Sequence, residues 1–144
     1  MIISSEIILR TQGNSDIIDI TSKVQKCIAD SGMRSGIATV FITHSTVGIT
    51  TIEFEPGLVS DLQKAWDRLV PKNIRYDHDA HWGDGNGYAH VRASLLGASL
   101  TLPFTDNKLV LGTWQQIIIV DFDNRPRERK IVIQIIGEQA IHTN

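Results

Sequence analysis

Cys27 is the single cysteine among 144 residues, so the chain can build neither an internal disulfide framework nor a thiolate zinc cluster. That usage fits an intracellular protein. No apolar run approaches the roughly 20 residues a membrane helix needs. The opening stretch MIISSEIILRTQGNS has no basic segment before an apolar core, and Glu6 and Arg10 interrupt its apolar residues, unlike a signal peptide. An excess of either charge is missing too: 14 basic residues against 16 acidic ones give a formal charge of −2, with a pI near 6.2. Such a balance offers no whole-protein attraction to nucleic acid or anionic membrane, so any anion site must be a local cluster. Repeats, linkers and low-complexity segments are absent as well. The expectation is one soluble, cytoplasmic domain over residues 1–144, without a nucleic-acid or membrane partner.

What is present is alternating, β-branched sequence. IISSEIILRT and SDIIDIT read as strands separated by a polar turn at Gln12, Gly13 and Asn14. Thr21 or Ser22 caps a helix carrying Val24, Cys27 and Ile28 inward and ending at Gly32. GIATVFITHSTVGITTIEF predicts two strands meeting at His44, Ser45 and Thr46. Pro56 opens a helix with Leu58, Leu62, Ala65, Trp66 and Leu69 at helical spacing, and Pro71 stops it. Residues 72–88 show no periodicity and read as a long loop of the kind that is usually functional or mobile. A short helix is expected from Ala89 to Leu96, followed by the strands ASLTLPF, KLVLG, QQIIIVDF and KIVIQIIGE. The apolar runs Ile117 to Val120 and Ile131 to Ile136 predict burial on both faces, with helices or a neighbouring subunit as cover. The fold class is therefore α+β, an antiparallel-rich β-sheet core covered by a few helices.

The chemistry-bearing residues concentrate in HDAHWGDGNGYAH, residues 78–90, with three of the five histidines, Asp79, Asp84 and three glycines. Imidazole suits zinc, and a catalytic zinc commonly takes three protein ligands. His44, His78, His81 and His90 are candidates if the loop folds back on His44. Solvent exposure or capping explains the same histidines equally well, and spacing does not choose. Asp79 and Asp84 offer hard oxygen ligands for magnesium or acceptors that orient the histidines. Asp77 reads as a turn former. Glu53 follows the strand after His44 and qualifies as a general base or ligand near the same site. In DFDNRPRERK, Arg125, Arg127, Arg129 and Lys130 gather at the mouth of a hairpin, either as an anion clamp or as a solvated end paired with Glu128. Arg127 and Arg129 share one face of the strand. Thr113 and Gln115 can hydrogen-bond a substrate, and Trp114 either stacks on a planar ring or packs in the core. No Walker loop, Rossmann fingerprint or nucleophile elbow is present.

The order of these motifs resembles the YjbQ-like family. It runs His44-Ser45-Thr46 with Glu53, Tyr76-Asp77-His78-Asp79, Ala89-His90-Val91-Arg92-Ala93-Ser94-Leu95-Leu96-Gly97, Leu111-Gly112-Thr113-Trp114-Gln115 and Pro126-Arg127. The resemblance spans essentially the whole chain. It implies a compact α+β domain that assembles as a homotrimer around a histidine metal pocket at or near subunit interfaces. It also implies a weak thiamine-phosphate synthase activity, joining an aminopyrimidine diphosphate to a thiazole phosphate with loss of pyrophosphate. On the matching motifs, His44, His78 and His90 are the expected metal ligands. Glu53, Gln115 and Arg127 are the expected catalytic partners, and Thr113 and Trp114 the ligand-binding ones. His81 has no place in the pattern. Zinc is the favoured ion, with magnesium an alternative for a diphosphate substrate. The competing expectations are a metal-dependent hydrolase of a phosphorylated small molecule, using Glu53 as base, and a non-enzymatic trimer that binds a metal or a phosphorylated metabolite.

Overall fold

Alternation along the first strand, β1 (Ile2–Thr11), sends Ile7 and Leu9 inward and Ile8 and Arg10 outward, and the same rule organises most of the chain. The computed structural model describes residues 1–139. After β1 come β2 (Asp16–Asp19), α1 (Thr21–Ser31), β3 (Met33–Ile42), β4 (Val47–Ile52), α2 (Pro56–Leu69), α3 (Asp77–Trp82) and α4 (Gly87–Leu96). The chain then runs through β5 (Ser99–Thr105), β6 (Lys108–Leu109), β7 (Gln116–Asp121) and β8 (Arg127–Gln139). The strands form a five-stranded sheet, β1-β8-β3-β5-β6, and a three-stranded sheet, β2-β7-β4. Every pairing in both sheets is antiparallel. The α+β class with an antiparallel core and a few covering helices is what the sequence led us to expect.

The main core lies between the sheets. Val40, Leu102, Phe104, Ile131, Ile133 and Ile135 of the larger sheet meet Val47, Ile49, Ile117 and Ile119 of the smaller one, and α1 adds Val24 and Ile28. A second core covers the other face of β7, where Ile118, Val120 and Phe122 pack against Tyr88, Ala89 and Ala93. Trp66 of α2 meets Phe122 edge-on there, with ring centroids 4.8 Å apart. Ile117 to Val120 are thus buried on both faces, as their unbroken apolar run predicts.

Ile131 to Ile136 correct that prediction for β8. Ile131, Ile133 and Ile135 are buried, but Ile136 is 46% exposed, because the larger sheet has one covered face within this chain. Residues 72–88 are not structureless either. They contain α3, whose six residues are too few to show helical periodicity, and Gly83 closes it in the left-handed conformation at φ 72°. The last helix starts at Gly87, two residues earlier than read from sequence. KLVLG pairs only through Lys108 and Leu109, since it forms an edge against the end of β5. Conversely, β8 begins at Arg127, so Arg127 and Arg129 stand in a strand and not in a solvated hairpin end. No helix among the described residues is long and apolar enough to cross a membrane.

Arg92 of α4 fixes the helical layer. Its side chain is fully buried and donates from Nε and Nη2 to the Val70 carbonyl, at 3.1 and 2.8 Å. It also donates to the Ser15 hydroxyl at 3.0 Å and to Asp67 at 3.2 Å, and its guanidinium lies 5.0 Å from the centre of the Tyr88 ring. One fork therefore ties α4 to the end of α2 and to the β1–β2 turn. Replacing Arg92 by Leu strands a buried carbonyl and hydroxyl, and we expect a loss of about 2–4 kcal/mol in urea unfolding. Arg92→Lys should recover less than half of this, because one ammonium cannot span the three acceptors. A loss below about 1 kcal/mol for Arg92→Leu would remove the fork from this role.

Candidate functional site

β3 and β4 are consecutive in the chain but belong to different sheets, so the turn between them, Thr43 to Thr46, crosses the open end of the sandwich. The turn from β7 to β8 makes the same crossing beside it. Phe122 N–H donates to the Thr46 carbonyl at 2.9 Å and joins the two turns. A third segment, the loop from α3 to α4, is tied on by amide side chains. Asn86 donates to Asp123 at 3.2 Å and accepts from Asn124 N–H at 3.0 Å, while Asn124 donates to the Asp84 carbonyl at 2.8 Å. Behind them Gly13, at φ 73°, leaves room for the crossing, since a Cβ there would lie 2.6 Å from the carbonyl oxygens of Asp123 and Arg125.

These three segments enclose an open cleft of about 340 Å³, lined by Thr43, His44, Ser45, Thr46, Asp84, Asn86, His90, Asp123, Arg127 and Arg129. Arg129 is its buried floor. It grips Asp121 with two parallel bonds, Nε to Oδ2 at 2.7 Å and Nη2 to Oδ1 at 3.0 Å. It also donates to Thr46 Oγ1 at 2.8 Å. Thr11 at the end of β1 donates its hydroxyl to the same Asp121 carboxylate. Arg127, two residues away on the same face of β8, reaches Asp123 at 3.4 Å in a contact too poorly aligned for a hydrogen bond. Its Nε is buried without a partner. Glu128 points to the opposite side of the strand, so the expected pairing with it does not form; its place is taken by Asp121 and Asp123.

His44 accepts the Lys130 N–H at Nε2 (2.9 Å) and places Nδ1 3.3 Å from Arg129 Nη1. Burial and the Arg129 charge hold its pKa below the ordinary imidazole value, against the pull of Asp121. The ring is therefore a neutral wall of the cleft. His90 lines the same cleft, and its ring centroid is 4.4 Å from that of His78. His78 Nδ1 lies 3.6 Å from Asp79 Oδ1 and 3.5 Å from Asp84 Oδ1 and is buried without a hydrogen bond. Among the described residues, the donor atoms of His78, Asp79 and Asp84 all lie within 4.8 Å of one another, while His44 and His90 stand outside that group. Asp79 also accepts the Gly87 N–H at 2.8 Å, an approach that a side chain at Gly87 would block, since its Cβ would meet Tyr76 at 2.5 Å. His81 turns away from the cleft, edge-on to Trp82.

The other site residues expected from sequence lie elsewhere in the chain. β4 and β7 pair with Val47 opposite Asp121 and Ile52 opposite Gln116, so Glu53, Thr113, Trp114 and Gln115 gather at the far end of the smaller sheet. Six residues of strand separate the two ends, about 20 Å. There Gln115 donates to Thr51 at 2.9 Å and accepts from Gly112 N–H at 3.1 Å. Trp114 is 72% exposed, so it is not a core residue. The expectation that Glu53 lies near His44 within the chain is not met, because an extended strand carries the two apart. Asp121, Asp123 and Asn86 were not among the candidates read from sequence, and Thr46 was named there only as a turn and motif residue, although DFD followed by RER at 127–129 already places two carboxylates and two guanidiniums on alternate positions.

Asp123 supplies a measurable consequence. Burial pushes its carboxyl upward, but hydrogen bonds from Asn86 and Thr46 and the charges of Arg127 and Arg129 outweigh this, leaving its pKa below the ordinary aspartate value. The folded state then binds the proton less tightly than the unfolded one. The stabilisation is present above the ordinary aspartate pKa and is lost as pH falls through the lower folded value. We expect Asp123→Asn to cost about 1–3 kcal/mol at pH 7, and the gap from the parent protein to close on acidification below about pH 4. A gap that stays constant in chemical unfolding from neutral to acid pH would mean that the charge does not hold the turn.

Comparisons with known proteins agree with the fold. The family model described as UPF0047 protein YjbQ-like matches residues 5–138. A UPF0047 protein of Methanothermobacter thermautotrophicus is 40% identical over 135 residues, covering 94% of this chain and 92% of its own. One from Archaeoglobus fulgidus is 37% identical over 131 residues, 91% of this chain and 99% of its own. Among solved structures, a YbjQ-like protein of unknown function from Sulfolobus solfataricus superposes with a TM-score of 0.90 at 33% identity, over 96% of this chain and 99% of that one. An uncharacterised yjbq/upf0047 protein from Clostridium acetobutylicum gives 0.84 at 39% identity, over 92% and 99%. The chain belongs to the YjbQ-like UPF0047 family.

Proposed function

We propose that the cleft binds a divalent metal ion beside a phosphorylated small molecule and acts as a thiamine-phosphate-synthase-like transferase. One observation carries this reading. The two buried side-chain atoms without a hydrogen-bond partner among the described residues are His78 Nδ1 and Arg127 Nε; Arg127 lines the cleft, and His78 stands against two residues that line it, His90 and Asp84. A buried polar atom left unpaired costs about 1–3 kcal/mol, and a ligand that met both would relieve it.

The donor set fits a cation. An imidazole nitrogen without a partner, facing two carboxylate oxygens, is the arrangement a divalent ion completes. This one-histidine, two-carboxylate set is harder than the three histidines expected from sequence, and it suits magnesium as well as zinc. When bound, such an ion supplies positive charge to phosphate oxygens. Charge balance makes that contribution necessary: Asp121 and Asp123 already neutralise Arg127 and Arg129, leaving Asp79 and Asp84 in excess. Arg127 is the guanidinium with free donor capacity, and the exposed hydroxyls of Thr43 and Ser45 stand beside it. In the proposed reaction the thiazole nitrogen attacks the methylene carbon of the pyrimidine diphosphate, and the carbon–oxygen bond to pyrophosphate breaks. The chain then has to hold both substrates and receive the leaving anion, for which no protein nucleophile is required. The hydrolytic reading takes Glu53 as its base, and within one chain Glu53 is at the far end of its sheet.

A homotrimer is part of the same proposal. Ile2, Ile37 and Ile136 form a cross-strand row on the uncovered face of the larger sheet, with Phe41 opposite Val132 nearby. These two apolar rows, with the polar row of Ser4, Gln134 and Thr39 between them, are what a second copy would cover. Glu53, Trp114 and Gln115 would reach a cleft only from another subunit. We expect sedimentation equilibrium to give three times the 16.0 kDa chain mass, and Phe41→Glu to shift it toward the monomer. A parent protein that is monomeric at micromolar concentration would dismiss the assembly.

For the site itself, tag-free protein after mild dialysis should retain near-stoichiometric zinc or magnesium by elemental analysis, and His78→Ala and Asp84→Asn should lose it. Pyrophosphate affinity should fall at least about tenfold in Arg127→Ala and on chelation of the metal, a loss typical of a charge-assisted contact. Folded protein that takes up no metal when zinc or magnesium is supplied would reject the reading.

A further inference from the structure

We propose that the site has a second chamber, which receives the planar ring of a small aromatic phosphate, and that Ser94 and Ala98 set the size of ring it admits. The inference rests on the phosphate-binding reading of the cleft. His44 and His90 line two cavities at once. On one side is the polar cleft of Arg127, and on the other a cavity of about 250 Å³ walled by Val47, Ala93, Ser94, Gly97 and Ala98, with Ser45 at the boundary of both. The change in wall chemistry across two imidazoles is abrupt. Carboxylates and guanidiniums line one side, and methyl groups, backbone and two serines without any charged group the other. A ligand bound across both chambers must itself be anionic at one end and apolar at the other.

The size of the second chamber narrows this further. An apolar cavity of roughly 150 Å³ accommodates benzene, and pockets for drug-sized ligands start near 300 Å³. The chamber therefore suits a single ring. Its walls are rigid: Ile49 N–H is bonded to the Gly97 carbonyl at 3.0 Å and Ile42 N–H to the Ala98 carbonyl at 2.8 Å, which pins the segment after α4 to both sheets. His44 is pinned by Lys130 N–H, so the boundary that the two chambers share is fixed. Trp114, the aromatic expected from sequence to stack on a ring, stands at the opposite end of the smaller sheet and cannot serve this cleft within one chain.

Ser94 and Ala98 are exposed at the rim, and the Ser94 hydroxyl bonds only the His90 carbonyl of its own helix. Ser94→Phe and Ala98→Trp should therefore fold and fill the chamber, which melting curves and circular dichroism verify. The probes are methyl phosphate and phenyl phosphate, monoesters of equal charge, titrated calorimetrically at fixed magnesium. Burial of the ring should make phenyl phosphate bind about tenfold tighter to the parent protein, and both variants should narrow the difference to about twofold or less. Equal binding of the two esters by the parent overturns the ring chamber and leaves the phosphate cleft standing. A preference that survives in both variants also overturns it, since the ring must then lie elsewhere. If neither ester binds the parent, the phosphate-binding reading itself fails, and the chamber with it.

Discussion

The fork between Arg129 and Asp121 is the contact on which the cleft end of the molecule depends. Arg129 belongs to the larger sheet and Asp121 to the smaller, and both are at the edge where the chain crosses between them. Taking two charges out of water costs several kcal/mol each, and their attraction returns that only when geometry and accessory bonds are good. Here they are: two parallel bonds join the pair, Thr11 and the Asp123 N–H complete the carboxylate, and Thr46 takes a further guanidinium proton. A well-packed apolar pair of the same volume can hold the sheets as firmly, but it does not fix four chain segments in one angular arrangement. The ion pair contributes specificity of shape, and the cleft inherits it.

From that anchor the remaining site geometry follows outward. Thr46 held by Arg129 fixes the turn that carries His44. Asp123, bonded by Asn86, fixes the start of the last helix and with it His90. The α3 to α4 loop is then held from both sides, by the Asn86 and Asn124 amides at the strand turn and by the Gly87 N–H on Asp79. A segment whose composition is that of a mobile loop is thus ordered chiefly by side chains bonding to backbone. Its two glycines with positive φ, Gly83 and Gly85, permit the tight path between helices that a residue with a Cβ would resist.

Much of the fold was legible because apolar period maps directly onto burial. The alternation of β1, the helical stripe of α2 between two prolines and the unbroken run of β7 each translate into the observed element. What failed did so for physical reasons. Period says nothing about which sheet a strand joins, so the split of β3 and β4 between two sheets, which creates the cleft, was invisible. β8 looked buried on both faces because its isoleucines are apolar on either side, whereas cover is a property of neighbours and not of the strand. At the site, proximity in sequence misled for Glu53, since six residues of extended chain are a long way in space. Proximity also concealed the Asp121 and Asp123 pairing, because arginines at a hairpin look solvated until partners across the turn are counted. The histidine-rich stretch does reach the cleft, through Asp84, Asn86 and His90, but the groups that face His78 Nδ1 are Asp79 and Asp84 of its own segment and not the other imidazoles.

The two cavities that share His44 and His90 follow from the same crossing. Where two sheets of unequal strand number diverge, the gap is widest at the turns that bridge them, and the side chains there must either fill it or face each other across it. On the strand side it is edged by charged residues, whose mutual neutralisation requires close approach and leaves a polar hollow. On the helix side it is edged by Ala93, Gly97 and Ala98, which are too small to close it. Enlarging Ala93 or Ala98 would add dispersion contacts that the hollow now forgoes, whereas Gly97, at φ 103°, is held to glycine by its backbone. Small side chains beside an unfilled hollow carry a cost in stability, and the cost is intelligible if a ligand supplies the missing contacts.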